Sequence, residues 1–156
     1  MEKTVQLYHQ LSGRAGREGK PSKVYFQTIN KKNNVISQII NPDPYIFLEN
    51  ELELRKKFKL PPFERFVSII VSCKDASMSE KIAYDLVISL KKKTDGNILG
   101  PVNAPIYKIR GKYRNRILIR SSKNINIQEQ ILNTLKNFKL PSQIKLSVDV
   151  DPINFN

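Results

Sequence analysis

Hydrophobic and polar positions alternate most cleanly in the second half of the chain. Val67, Ile69, Val71 and Cys73 share one phase, with Ser68 and Ser72 in the other, which predicts a half-buried strand. Ser77-Met-Ser-Glu80 reads as a capping box in which serine and glutamate satisfy each other's free N–H groups. Behind it Ile82, Ala83, Leu86, Val87 and Leu90 fall on one helical face. Residues 98–110 and 114–120 read as two strands joined by a tight turn at Gly111. Ile127, Ile131, Leu132 and Leu135 make a second helical stripe, which Phe138 closes. Ile144, Leu146, Val148 and Val150 then alternate with Lys145, Ser147, Asp149 and Asp151. The order is β-α-β-β-α-β. Short connections and right-handed crossovers fold it into a four-stranded antiparallel sheet with both helices on one face, the ferredoxin-like layout of an α+β domain.

The first half has a different texture. The spacing predicts a short helix around residues 3–12, a Gly/Arg/Lys-rich turn and one strand at Lys23–Thr28. Two helices follow. Val35, Ile36, Ile39 and Ile40 lie on one apolar stripe, and Phe47, Leu48, Glu51, Leu52 and Arg55 continue at helical spacing. Pro61-Pro62 then stops the helix, because neither proline has an N–H and each pushes its predecessor out of the α region. The expected division is therefore residues 1–30, a helical linker over 31–62, and a domain over 63–156. No internal repeat exists beyond the two-fold echo in the second half.

Charge changes the picture more than composition does. The 156 residues are 40% hydrophobic, enough to bury a core, but 27 Lys and Arg face 14 Asp and Glu, a net charge of +13. Residues 1–63 hold 11 cations against 6 acids and residues 64–156 hold 16 against 8, so the excess is spread along the chain. A surface this basic calls for an anionic partner, nucleic acid above all. No apolar run approaches a membrane span and no signal peptide opens the chain, which leads us to expect a cytoplasmic protein that does not bind membranes. Cys73 is the only cysteine and His9 the only histidine, which excludes an internal disulfide, a cysteine-built zinc site and Ser-His-Asp chemistry. Asp149 and Asp151, two carboxylates on one strand face, make a poor cation site, so no metal site is expected. Lys91–Lys93 suit the negative end of a helix. Cys73 has the inward phase of a small hydrophobe, and His9 reads as a packing or polar contact.

The charge has one dense locus. Lys108, Arg110, Lys112, Arg114, Arg116 and Arg120 occur within residues 104–120, where no acid intervenes. All six are even-numbered, whereas Tyr107, Ile109, Ile117 and Ile119 are odd. A three-residue turn at Gly111-Lys112-Tyr113 would put the four apolar residues on the buried face and Lys108, Arg110, Arg114, Arg116 and Arg120 together on the open one. Such a surface tracks phosphates, and Tyr113 at the turn is placed to stack on a base.

A second motif lies at the front. Gln10-Leu-Ser-Gly13-Arg14-Ala-Gly16-Arg17 sets two arginines three apart beside glycines that let a backbone approach closely, an arrangement suited to phosphate oxygens. The spacing resembles the last motif of superfamily 2 helicases. Together with Val24–Asn30, Glu51–Phe63, Leu99–Ile106, Arg110–Arg114 and Val148–Pro152, it resembles one family, the primosomal replication-restart helicase or primosomal protein N-prime, over nearly the whole chain.

The resemblance implies that residues 1–30 are the end of a second, RecA-like helicase lobe, incomplete here, and that the second half is the family's C-terminal DNA-binding domain. It makes Arg17 an arginine finger for the γ-phosphate, with Arg14 near phosphate and Gln10 linking nucleotide to lobe movement. The parent family uses ATP and magnesium, and zinc through a cysteine cluster. This chain has no Gly-x-x-x-x-Gly-Lys-Ser/Thr loop, no Asp-Glu-x-His pair and no such cluster, so by itself it is expected to need no cofactor and to turn over no ATP. The implied function is that of a DNA-binding C-terminal fragment of an ATP-dependent helicase that assembles the primosome on stalled or abandoned forks. It would be an excised piece, a split-gene product or a decayed remnant. Expected partners are forked or single-stranded DNA, single-stranded-DNA-binding protein and other primosome proteins, with the chain itself a monomer. Two other readings stand beside it: an RNA-binding or ribosome-associated module of the same layout, and an ATPase that borrows its first lobe from another chain.

Overall fold

The computed structural model describes residues 44–152, together with 7, 10, 23–25, 27–30 and 36. The chain divides into two units, Met1–Leu54 and Arg55–Asn156. In the first, Leu7, Gln10 and Ile36 are helical. Of the strand expected at Lys23–Thr28, the described residues 23–25, 27 and 28 are in neither strand nor helix, and Thr28 Oγ1 instead accepts from the Asn30 N–H in a local turn. A strand needs a ladder partner to form, and a favourable sequence without one stays irregular.

Helix α1 (Pro44–Lys57) carries the predicted spacing, with Phe47 buried while Leu48 and Leu52 stay exposed. It ends before the prolines. The Leu60 N–H donates to the Arg55 carbonyl and the Lys59 N–H to that of Lys56, with Lys59 left-handed at φ 53°, a Schellman-type stop. Pro61-Pro62 follows a termination already made, and the Arg55 guanidinium donates to the Pro61 carbonyl at 3.1 Å.

The second unit continues as β1 (Glu64–Cys73), α2 (Ala76–Lys93), β2 (Asn97–Ile109), β3 (Lys112–Ser122), α3 (Ile127–Lys136) and β4 (Lys145–Val150). The strands form one sheet in the order β2-β3-β1-β4, and every neighbouring pair is antiparallel. In β1 the odd residues Val67, Ile69, Val71 and Cys73 are all buried. They pair with Ile119, Ile117, Asn115 and Tyr113 of β3, and the first three also with Val150, Val148 and Leu146 of β4. Cross-strand partners share a face, so this odd set lines one side of the sheet.

On that side Ala83, Leu86, Val87 and Leu90 of α2 join Ile127 and Ile131 of α3 in a single core with the strand residues. Full burial of each large aliphatic side chain is worth roughly 1.5–3 kcal/mol. Helix α2 starts earlier than the capping-box reading predicted. Its cap is Asp75, whose carboxylate accepts from the Met78 N–H at 2.9 Å, and Ser77 lies inside the first turn. A carboxylate outcompetes a hydroxyl there because it also meets the positive end of the helix dipole. In α3 Leu132 is exposed and Thr134 takes the buried position, so the predicted stripe is one residue too wide. Val148 and Val150 face the core side yet stay more than two-fifths exposed. They sit on an edge strand, where alternation fixes the direction of a side chain but not its cover.

Candidate nucleic-acid interface

The β2–β3 hairpin is built differently from the parity argument. Ile109 pairs with Lys112 and Lys108 with Tyr113, so the turn is the two-residue Arg110-Gly111. Both residues are left-handed, at φ 49° and 75°, as a type I′ turn demands. Glycine adopts this backbone freely, but an arginine there costs about 1–2 kcal/mol.

The register along the hairpin then slips twice. Gly100 and Pro101 of β2 face only Ile117 of β3, and Ala104-Pro105-Ile106-Tyr107 face only Arg114. Pro101 and Pro105 have no N–H for the ladder, which confines them to an edge strand and to bulges of this kind. The Arg114 guanidinium spans the larger bulge by donating to the Ile106 carbonyl at 3.2 Å.

The two-residue turn splits the cations that a three-residue turn would have gathered. Arg114, Arg116 and Arg120 of β3 do share the open face, opposite the buried Ile117 and Ile119. Lys108 does not join them. It lies on the side of Tyr113, its ammonium 4.6 Å from the ring centroid and 3.1 Å from the hydroxyl. Arg110 stands at the tip, and Lys112 falls on the opposite side from Tyr113 by strand alternation. Tyr107 is half-buried and Ile109 is 39% exposed, so neither lines the core as the three-residue turn required. Tyr113 meets Tyr107 at 5.3 Å between ring centroids and carries Lys108 as well, so its ring already has two partners in this structure.

Arg120 is also taken. It forms an ion pair and hydrogen bond with Glu64, which holds the guanidinium above its ordinary pKa and cancels its charge locally. The open face is therefore graded. Ser72 of β1 pairs with both Arg114 and Lys145, which sets the two cations in one row across the sheet. The Ser72 hydroxyl donates to the Lys145 carbonyl at 3.1 Å. Toward the other end Ser68 pairs with Asp149, and Glu64 lies beside Arg120. Lys145 was missed by the sequence reading; alternation gave its face, but only the strand order places it in the row of Arg114, with Ser72 between them. Leu99, Val102 and Leu118 are on the same open face through their pairings and leave apolar surface among the cations.

The other candidates are easily placed. Gln10 is helical and exposed, while Arg14, Arg17 and His9 lie outside the described residues. Asp151 does not share a strand face with Asp149. It follows β4 at φ 49°, pairs with Arg65, and accepts from the Phe66 N–H at 3.1 Å. Cys73 is buried, with its sulfur 3.9 Å from that of Met78. Among the described residues no group of three or more His, Cys, Asp or Glu side chains is placed to hold a metal ion. No helix among them is long and apolar enough to cross a membrane.

Comparison with known proteins adds a family. Residues 56–153 match the primosomal protein N C-terminal domain. The chain is 39% identical over 154 residues to the replication restart protein PriA of Rickettsia conorii, covering 99% of this chain and 24% of that protein. It is 32% identical to the PriA of Bacillus subtilis, covering 97% of this chain and 19% of the relative. For the Haemophilus influenzae protein the figures are 29%, 97% and 21%. The chain thus spans a quarter or less of the length of these relatives.

Proposed function

The chain belongs to the family of replication restart proteins, through a primosomal protein N C-terminal domain, and from that premise we propose that it is a DNA-binding module that works by way of its β2–β3 hairpin. The strand order and the two helices on one face support the ferredoxin-like layout expected for such a module. The observation that carries the reading is the open-face row at the hairpin: Arg114 and Lys145 on either side of Ser72, Arg116 two residues along β3, and Asp149 and Glu64 in the rows beyond. Cations set at strand spacing on a face with little competing acid make a phosphate track.

In the whole protein this module would bind forked or single-stranded DNA in the cytoplasm, alongside single-stranded-DNA-binding protein and other primosome components. Gln10, Arg14 and Arg17 would then belong to the ATP-sensing edge of a helicase lobe, with ATP and magnesium held elsewhere in the parent enzyme. Those are functions of the larger assembly, and binding alone is assigned to the hairpin.

Replacing Arg114 and Arg116 with alanine tests the assignment. Affinity should fall on unrelated DNA sequences alike, because phosphate contacts carry no base information. The fold should persist, since both side chains leave the sheet away from Ile117 and Ile119. Alanine at Lys91 and Lys92, an equal loss of charge at the end of α2, is the control. Equal weakening by the control would reduce the hairpin to a share of a diffuse field, and tighter binding to RNA than to DNA of the same sequence would favour the ribosome-associated reading.

A further inference from the structure

The hairpin tip is made differently from the face behind it. Pairing between β1 and β3 ends at Cys73 with Tyr113, so beyond that point, among the described residues, only β2 and β3 remain paired. Beyond it lie the Ile109–Lys112 pair and the Arg110-Gly111 turn, with a cation on each face of the ribbon and one at its end. Lys108 lies on the Tyr113 side, held by that ring and hydroxyl, and Lys112 lies on the other, with Arg110 at the end. Arg110 occupies a turn position where an arginine is conformationally costly and Asn or Gly is favoured. Backbone strain that a simple substitution would relieve points to use of the side chain.

A single strand lying on the sheet would meet cations on one face only. Cations on both faces and at the end suit a channel walled by phosphates on two sides. The major groove of duplex DNA is such a channel. It is about 12 Å wide, admits a two-stranded ribbon, and is roughly 8.5 Å deep. Lys108 and Ile109, the two residues before the turn, rise about 3.3 Å each, and with the turn their reach is on the order of that depth. We infer that the hairpin tip enters the major groove of duplex DNA, Lys108 and Lys112 facing the two flanking phosphate backbones and Arg110 reaching the acceptors on the groove floor. This deepens the proposed function and rests on it: the open face holds DNA of either form, and the tip selects the duplex.

The test uses the full chain, a short duplex and one of that duplex's own strands, with binding followed by fluorescence anisotropy. Arg110→Asn keeps a residue that tolerates the left-handed turn, so thermal stability should hold or rise. Duplex affinity should fall about tenfold, the scale of one side chain's hydrogen bonds to a base edge, while single-strand affinity stays unchanged. Lys108→Gln should reduce the salt dependence on duplex by roughly 0.9 in the log–log slope and leave the single strand untouched. An equal loss on both DNAs, or none on the duplex, would overturn the groove assignment. If the Arg114 and Arg116 pair weakened binding while Arg110→Asn did not discriminate, the tip alone would be misassigned. If neither had any effect, the DNA-binding reading itself would fall.

Discussion

Two buried serines show how the same side chain acts in opposite ways. The Ser79 hydroxyl donates to Asn115 Oδ1 at 2.8 Å, and Asn115 Nδ2 in turn reaches Asn103 Oδ1 at 3.3 Å, a polar chain from α2 across β3 to β2. Ser79 and Asn115 are both almost fully buried. Ser79→Ala would strand a buried amide oxygen, and chemical denaturation should show a loss of about 1–3 kcal/mol. Ser121 Oγ is buried with no hydrogen-bond partner among the described residues. Ser121→Ala removes a group that gained nothing for its desolvation, so stability should hold or rise. The prediction fails if the two variants behave alike.

At the scale of elements the sheet has an inside and two edges. Strands β1 and β3 are paired on both sides, whereas β2 and β4 are each paired on one. Hydrogen exchange should therefore be slowest in β1, with β4 amides exchanging at least about tenfold faster, because an edge opens without disturbing the core. Uniform protection across the sheet would contradict that topology. The central elements were also the ones legible in the sequence. Val67 to Cys73 alternate and Ala83 to Leu90 repeat at helical spacing because their apolar side chains face one shared core, and a core on one side is what a periodic pattern records. The hairpin was less legible because the parity argument required Tyr107, Ile109, Ile117 and Ile119 to share one face, whereas the two-residue turn sets Ile109 opposite Lys112 and the slip at Ala104–Tyr107 takes Tyr107 out of the ladder. The signals were present: two prolines in an otherwise strand-like run point to bulges, and Arg110-Gly111 has the glycine that a two-residue turn favours. Ion pairs such as Glu64 with Arg120 join residues far apart in sequence, so no local pattern announces them.

For the whole molecule the net charge of +13 favours an anionic partner but gives it no place. Folding gives the charge a place. It gathers Arg114, Arg116 and Lys145 at one end of the open face, neutralises Arg120, and leaves Lys91–Lys93 at the end of a helix. On this reading the hairpin end binds individual phosphates and is more than part of a general positive field. The decisive measurement is the dependence of DNA affinity on salt concentration, for the unaltered chain and for the variant with alanine at Arg114 and Arg116. Every phosphate that is no longer neutralised should flatten the plot of log affinity against log salt by roughly 0.9 on duplex and 0.7 on a single strand. A flattening of one to two such steps is expected in that variant, and almost none with alanine at Lys91 and Lys92. A slope unchanged at the hairpin, or reduced equally by both pairs, would contradict the assignment.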